Sequence, residues 1–174
     1  MEKVAEFYKV SFEQFEKDYK KIFPNNTKTR SEIEDMYNSI KLPARGTSGS
    51  AGYDFFLPFD ITLKSGEEIT IPTGIRFKSR EDYALFVFSR SGLGTRNRLQ
   101  LNTAVSIIDS DYFYSDNEGH MMYRVIHDSR CADDVLTLES GKGFIQGVFI
   151  PYGITESDNV QTKRNGGFGS TTQN

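Results

Sequence analysis

The sequence predicts a mainly β domain with a short helical segment near the N-terminus and a polar C-terminal arm. Three observations carry this. After Leu42-Pro43 the hydrophobic period is two, in short runs rich in β-branched and aromatic residues. Before it the period is helical, and from Thr155 the chain turns polar. Many short strands between turns mean a sandwich or a barrel.

In chain order, residues 6–10 have the composition of a strand. Phe12, Phe15, Tyr19, Ile22 and Phe23 recur at helical spacing, and Ser11-x-x-Gln14 reads as a capping box. After a break at Pro24-Asn25-Asn26, Ser31-x-x-Glu34 opens a second short helix carrying Ile33, Met36, Tyr37 and Ile40. These apolar stripes are expected to pack on the core. Strands follow at 53–57, 60–63, 67–71, 74–77, 83–88, 104–108, 121–127, 135–138 and 144–150, separated by turns such as Ser65-Gly66 and Pro72-Thr73-Gly74. The run 83–88 is apolar on both faces, as inside a jelly roll or at a subunit interface. The chain reads as one domain, 1–174, with a helical insertion at about 11–41 and an arm at about 155–174.

With 174 residues, 37% hydrophobic and 26% charged, the chain is expected to be globular and soluble. No apolar run is long enough to span a membrane. The N-terminus lacks the layout of a secretory signal and Cys131 has no partner cysteine, so the cytoplasm is the expected compartment. A net charge of −3 argues against broad nucleic-acid binding. His120, His127 and Cys131 lack the spacing of a zinc site.

Five segments carry unusual residue combinations. Ser50-Ala51-Gly52-Tyr53-Asp54 places a carboxylate at a strand start, and Ser89-Arg90-Ser91-Gly92-Leu93-Gly94 a guanidinium and a hydroxyl on a glycine-rich turn. Ile107-Ile108-Asp109-Ser110-Asp111-Tyr112 ends an apolar run in two acids and a phenol. Gln146 puts an amide inside the apolar run 144–150, where an unpaired polar group costs a few kcal/mol. Last, Arg164-Asn165-Gly166-Gly167-Phe168-Gly169-Ser170-Thr171 has the makings of a phosphate-and-base clamp. Glycines let several backbone N–H groups approach one anion, Arg164 offers a planar fork, and Phe168 has no local core to join. By composition alone this last stretch also describes an ordinary glycine-rich tail.

In this order the five segments resemble the five motifs of the trimeric dUTP pyrophosphatases (dUTPases). The resemblance runs from about residue 42 to the C-terminus. It implies a distorted jelly-roll β-barrel and hydrolysis of dUTP to dUMP and pyrophosphate, which limits uracil incorporation into DNA and supplies dUMP for thymidylate synthesis. It implies Mg²⁺ carried by the substrate phosphates and water rather than by a protein cage, with Asp54 near the metal's water shell or anchoring Arg90. Asp109 is the implied general base. Arg90, Ser91, Gly92 and Gln146 would hold the α- and β-phosphates, and Arg164, Gly169, Ser170 and Thr171 would close on the γ-phosphate. Tyr112 would lie under the sugar and exclude a 2′-hydroxyl. Thr103 and Ile108 would border the uracil, and Phe168 would cap it. A homotrimer with interfacial active sites and a flexible arm that orders on binding is further implied.

The chain departs from the family pattern at residues 113–117, which are inserted after Tyr112, and at Thr103 and Ser106, where Asn and Gly are common. Thr172 replaces a glycine of the last motif. The competing enzyme of this fold, dCTP deaminase, needs a glutamate where this chain aligns Arg124. A non-catalytic protein-binding member is the alternative outside enzymes.

Overall fold

The structure, a computed structural model, describes residues 2–162 and 164. Strand β1 (Ala5–Lys9) leads into helices α1 (Phe12–Ile22) and α2 (Arg30–Ser39). There follow β2 (Ala44–Arg45), β3 (Tyr53–Phe56), β4 (Ile61–Lys64), β5 (Glu68–Pro72), β6 (Ile75–Ser79) and β7 (Tyr83–Ser89). After α3 (Ser91–Arg96) come β8 (Leu99–Leu101), β9 (Val105–Ile108), a 3-10 helix (Ser110–Tyr114), β10 (Met122–His127), β11 (Val135–Leu138) and β12 (Gly143–Pro151). The largest sheet has the order β2-β3-β12-β7-β9; β5-β10-β8, β1-β6 and β11-β4 complete the described strands. The architecture is mainly β, as expected. Among the described residues no helix is long and apolar enough to cross a membrane.

Alternation decides which side of the large sheet faces inward. Leu85 and Val87 of β7, Ile108 of β9 and Ile145 of β12 are buried, whereas Val105 and Ile107 on edge strand β9 are 38% and 57% exposed. Phe86 and Phe88 share the outer face with those two, opposite Ile107 and Val105 in register. The apolar second face of this strand is therefore real, and it looks outward.

The N-terminal segment is built into the core. Phe7 of β1 meets the rings of Tyr53, Phe55 and Phe149 at 5.3, 5.6 and 5.5 Å, and such pairs add about 0.5–1.5 kcal/mol each beyond burial. Phe15, Tyr19, Ile33 and Ile40 are buried, as the helical stripes predict.

The caps differ in detail. Ser11 does cap α1, its Oγ accepting from the Gln14 N–H at 3.2 Å. The reciprocal bond does not form, because Glu118 takes the Ser11 N–H and the Gln14 amide turns to Asp18. In α2 the reciprocal box is Thr29 with Glu32, two residues before the expected one. Burying Ile33 requires a complete turn ahead of it, and Thr29-x-x-Glu32 offers the same chemistry there.

Two loops are also more regular than expected. The glycine-rich segment after Ser89 is helix α3, closed by the Gly94 and Asn97 N–H groups on the Arg90 and Leu93 carbonyls and anchored by Leu93 against the core. The segment after Asp109 forms a 3-10 helix, with buried Tyr112 as its anchor.

Candidate active site

Cross-strand register makes Asp54 of β3 the direct neighbour of Gln146 on β12, and Gln146 the neighbour of Phe88 on β7. Arg90, just beyond β7, reaches back across the start of β12. Its Nε donates to Asp54 Oδ1 at 3.1 Å, Nη2 forms an ion pair with Asp54 Oδ2 at 3.0 Å, and Nη1 donates to the Gly143 carbonyl at 3.3 Å. This fork-on-fork pairing fixes the guanidinium plane. A Cβ at Gly52 would stand 2.6 Å from Gln146 Oε1, so a side chain there would displace the Gln146 amide. Ser91 and Gly92 follow in the first turn of α3. Asp54 is paired with Arg90 in this structure.

Asp109, Asp111 and Tyr112 gather at the other end of β7, since Ile108 is level with Leu85 while Arg90 follows Ser89. Along a strand rising ~3.3 Å per residue, the two ends are about 20 Å apart. Arg164 spans the two acids. Its Nη2 donates to Asp109 Oδ2, its Nε to Asp111 Oδ1 at 3.1 Å, and its guanidinium lies 5.7 Å from the Tyr112 ring centre. A cavity of about 570 Å³ opens beside Asp109, Ser110 and Asp111, bordered by Lys78, Tyr114 and Tyr152.

Tyr112 is buried and its hydroxyl donates to the His120 carbonyl at 3.0 Å, while Asn117 Nδ2 donates to the same hydroxyl at 2.9 Å. Burial pushes the phenol pKa up and the bond from Asn117 opposes this only in part, so the group stays a protonated donor.

Strands β8 and β9 join different sheets, and a pocket of about 250 Å³ beside the turn between them is lined by Thr103 and Ser106, with Thr70 of β5 and Met122, Tyr123 and Arg124 of β10. Thr103 and Ser106 share a hydroxyl–hydroxyl bond of 2.9 Å at its rim. The Ile108 side chain packs into the core, so only its backbone is available to a ligand. Phe168, Gly169, Ser170 and Thr171 lie outside the described residues.

Of the three residues with zinc-site chemistry, His120 and His127 are buried and Cys131 is exposed. Among the described residues no three His, Cys, Asp or Glu side chains converge as a metal cage. Sequence reasoning missed the buried Asp18–His120 pair and Asn117. The signal for the first was present: Gln14 and Asp18 fall on the same helical face as Phe15 and Tyr19, which demands a buried polar partner.

A mainly β scaffold thus carries a guanidinium, carboxylate and carboxamide at one strand end, and two carboxylates with a second guanidinium at the other, groups suited to a phosphorylated ligand. The chain belongs to the dUTPase family, whose sequence model matches residues 38–172. It is 36% identical over 145 residues to the deoxyuridine 5'-triphosphate nucleotidohydrolase of Lactococcus lactis, covering 80% of this chain and 95% of that protein. The dUTPase crystal structure from Streptococcus mutans superposes with a TM-score of 0.60 at 30% identity, over 68% of this chain and 91% of that one. The dUTPase of the S. aureus phage phi11, whose structure concerns coordination of a structural Mg(II) ion, shares the fold at 20% identity and TM-score 0.58, over 71% and 92% of the two chains.

Proposed function

We propose that this dUTPase hydrolyses dUTP to dUMP and pyrophosphate in active sites shared between chains of a homotrimer. The observation that carries the shared site is the separation of Asp109 from Arg90 along β7. A general base must come within about 3 Å of the water it activates, and that water must face the same phosphorus whose oxygens the arginine holds. One chain offers the two groups about 20 Å apart along the strand rise; two chains packed through the exposed apolar face of Val105 and Ile107 can bring them together.

In this reading Asp109 accepts a proton from water as its oxygen attacks the α-phosphorus in line. The bond to the α,β-bridging oxygen breaks and pyrophosphate leaves. Arg90, held flat by Asp54, and Gln146, with Ser91 and Gly92, neutralise the α- and β-phosphate oxygens. Arg164 leaves Asp109 and Asp111 for the γ-phosphate, joined by Gly169, Ser170 and Thr171. Uracil enters the gap beside Thr103, the backbone of Ile108 and the ring of Phe168, with the sugar over Tyr112.

Mg²⁺ fits the donor set as a substrate-borne ion. The carboxylate beside the phosphate-binding arginine, Asp54, already has both oxygens on Arg90. A cation that keeps most of its water and takes phosphate oxygens suits such a site, with Asp54 touching that water. When bound it would offset triphosphate charge; the remaining steps fall to the side chains above.

Pyrophosphate release from dUTP with Mg²⁺, run beside ammonia release from dCTP, tests the reading. Pyrophosphate without ammonia is expected. Arg124, at the rim of the Thr103 pocket, supplies a cation where a deaminase needs a proton-shuttling glutamate. Ammonia from dCTP would contradict the proposal.

A further inference from the structure

The N-terminal segment and the stretch that follows Tyr112, residues 113–120, grip each other at three points. The Ser11 N–H and Oγ both donate to Glu118, at 2.8 and 2.6 Å. The Tyr8 ring meets Phe113 at 6.0 Å, and Phe113 also stacks under the Arg76 guanidinium at 3.7 Å, whose Nη2 donates to the Phe113 carbonyl. Deepest is His120, fully buried. Its Nε2 accepts the Gly74 N–H at 2.8 Å, so the proton sits on Nδ1, which donates to Asp18 Oδ2 at 2.6 Å.

The ring of His120 is thereby fixed by α1 on one side and the start of β6 on the other. Its carbonyl is the acceptor of the Tyr112 hydroxyl, and Asn117, which donates to that hydroxyl, also donates to the same carbonyl at 3.3 Å. The loop closes tightly enough that Glu118 and Gly119 both have positive φ, 58° and 70°. A Cβ on Gly119 would lie 2.7 Å from the Tyr112 carbonyl oxygen. Each contact is individually ordinary. Together they tie one aromatic ring of the substrate pocket to a helix about a hundred residues earlier in the chain.

We propose that Asp18, through His120, and Asn117 are positioning residues for Tyr112, so that the N-terminal helix sets how strictly the enzyme prefers a deoxyribose to a ribose substrate. This rests on the reading of Tyr112 as the floor of the sugar site. A ring free to retreat by a fraction of an ångström leaves room for a 2′-hydroxyl, and small misplacements of this kind cost up to ~100-fold in rate. Asp18→Asn keeps an acceptor for both the His120 and Gln14 donors; Asp18→Ala leaves the His120 Nδ1–H buried without one.

The test compares unaltered enzyme, Asp18→Ala, Asp18→Asn and Asn117→Ala by kcat/KM for dUTP and for UTP, by thermal unfolding, and by hydrogen exchange of the 110–120 segment. Expected is a fall of about tenfold in the dUTP-to-UTP ratio for Asp18→Ala and Asn117→Ala, with faster exchange in that segment. Asp18→Asn should keep the ratio within about threefold. A purely structural role would lower the unfolding temperature and leave the ratio untouched, which overturns the proposal, as does unchanged exchange in Asp18→Ala. Should Tyr112→Ala, run alongside, leave the ratio intact, the sugar-site reading itself is wrong and the selectivity claim goes with it. No dUTP hydrolysis by the unaltered chain would contradict the proposed function instead, and exchange would still decide whether Asp18 holds the loop.

Discussion

Asp109 and Arg90 stand at opposite ends of one strand: the first follows Ile108, level with Leu85, and the second follows Ser89. In a lone chain a catalytic base and a phosphate-binding arginine so placed serve different surfaces. In the proposed trimer they would form different halves of one site, and each half can be disabled separately.

Replacing Asp109 by Asn is expected to lower kcat by about 10²–10⁴ while nucleotide affinity stays within about tenfold, because loss of a general base removes the proton acceptor and little of the binding surface. Steady-state pyrophosphate release and calorimetric titration with a non-hydrolysable dUTP analogue measure the two effects. Near-full turnover would assign the base elsewhere.

Arg90→Lys keeps the charge and loses the fork. Asp54 then meets one point charge in place of a two-point contact, and the cation is free to swing. An expected loss of about tenfold or more in kcat/KM, with the fold intact by circular dichroism, separates planar bidentate recognition from charge alone. A lysine variant as active as the parent would show that orientation is unimportant.

Much of this arrangement was legible in the residue order. The change of period at Pro43 and the burial of Phe15, Tyr19 and Ile33 follow from local chemistry, whereas an acid on Arg90 was one of two roles that only the family resemblance implied. What stayed hidden has physical reasons. Leu99–Leu101 is too short for alternation to register, and Gly92 and Gly94 mask a helix held by the packing of Leu93. Asp18 sits among aromatics because His120 meets it more than a hundred residues later, a partner that no local pattern names, and Gln14 in turn donates to Asp18.

Gly74 supports the same corner. With φ of 70° and a would-be Cβ 2.4 Å from Ile40 Cδ1, it admits no side chain, and its N–H holds His120. Gly74→Ala should destabilise the fold by about 1–3 kcal/mol in chemical denaturation. A variant as stable as the parent would mean the helices can shift at little cost.

Acid should loosen the N-terminal segment first. Burial would raise the carboxyls of Asp18 and Glu118, but hydrogen bonds from His120 and Gln14 to the one and from Ser11 to the other outweigh it, so both fall below their ordinary values of 3.8 and 4.5. A folded pKa lowered in this way gives stability that is complete above the ordinary value and lost as pH falls through the folded one. Thermal unfolding should therefore be flat from neutral pH down to about 5 for this pair and drop below about 4.5, with the Ser11→Ala, Asp18→Asn double variant losing part of that dependence. The same acid slope in the double variant would place the titrating groups elsewhere.

The shared site is tested most directly by mixing two inactive chains, Asp109→Asn and Arg90→Ala, unfolding and refolding them together in equal amounts, and measuring dUTP hydrolysis. If base and arginine come from neighbouring chains, about one quarter of the sites in randomly mixed trimers pair an intact Asp109 with an intact Arg90, and activity returns in that proportion. If each chain supplies both groups to its own site, mixed trimers verified by mass spectrometry stay as inactive as their parents, and the account of the active site is wrong.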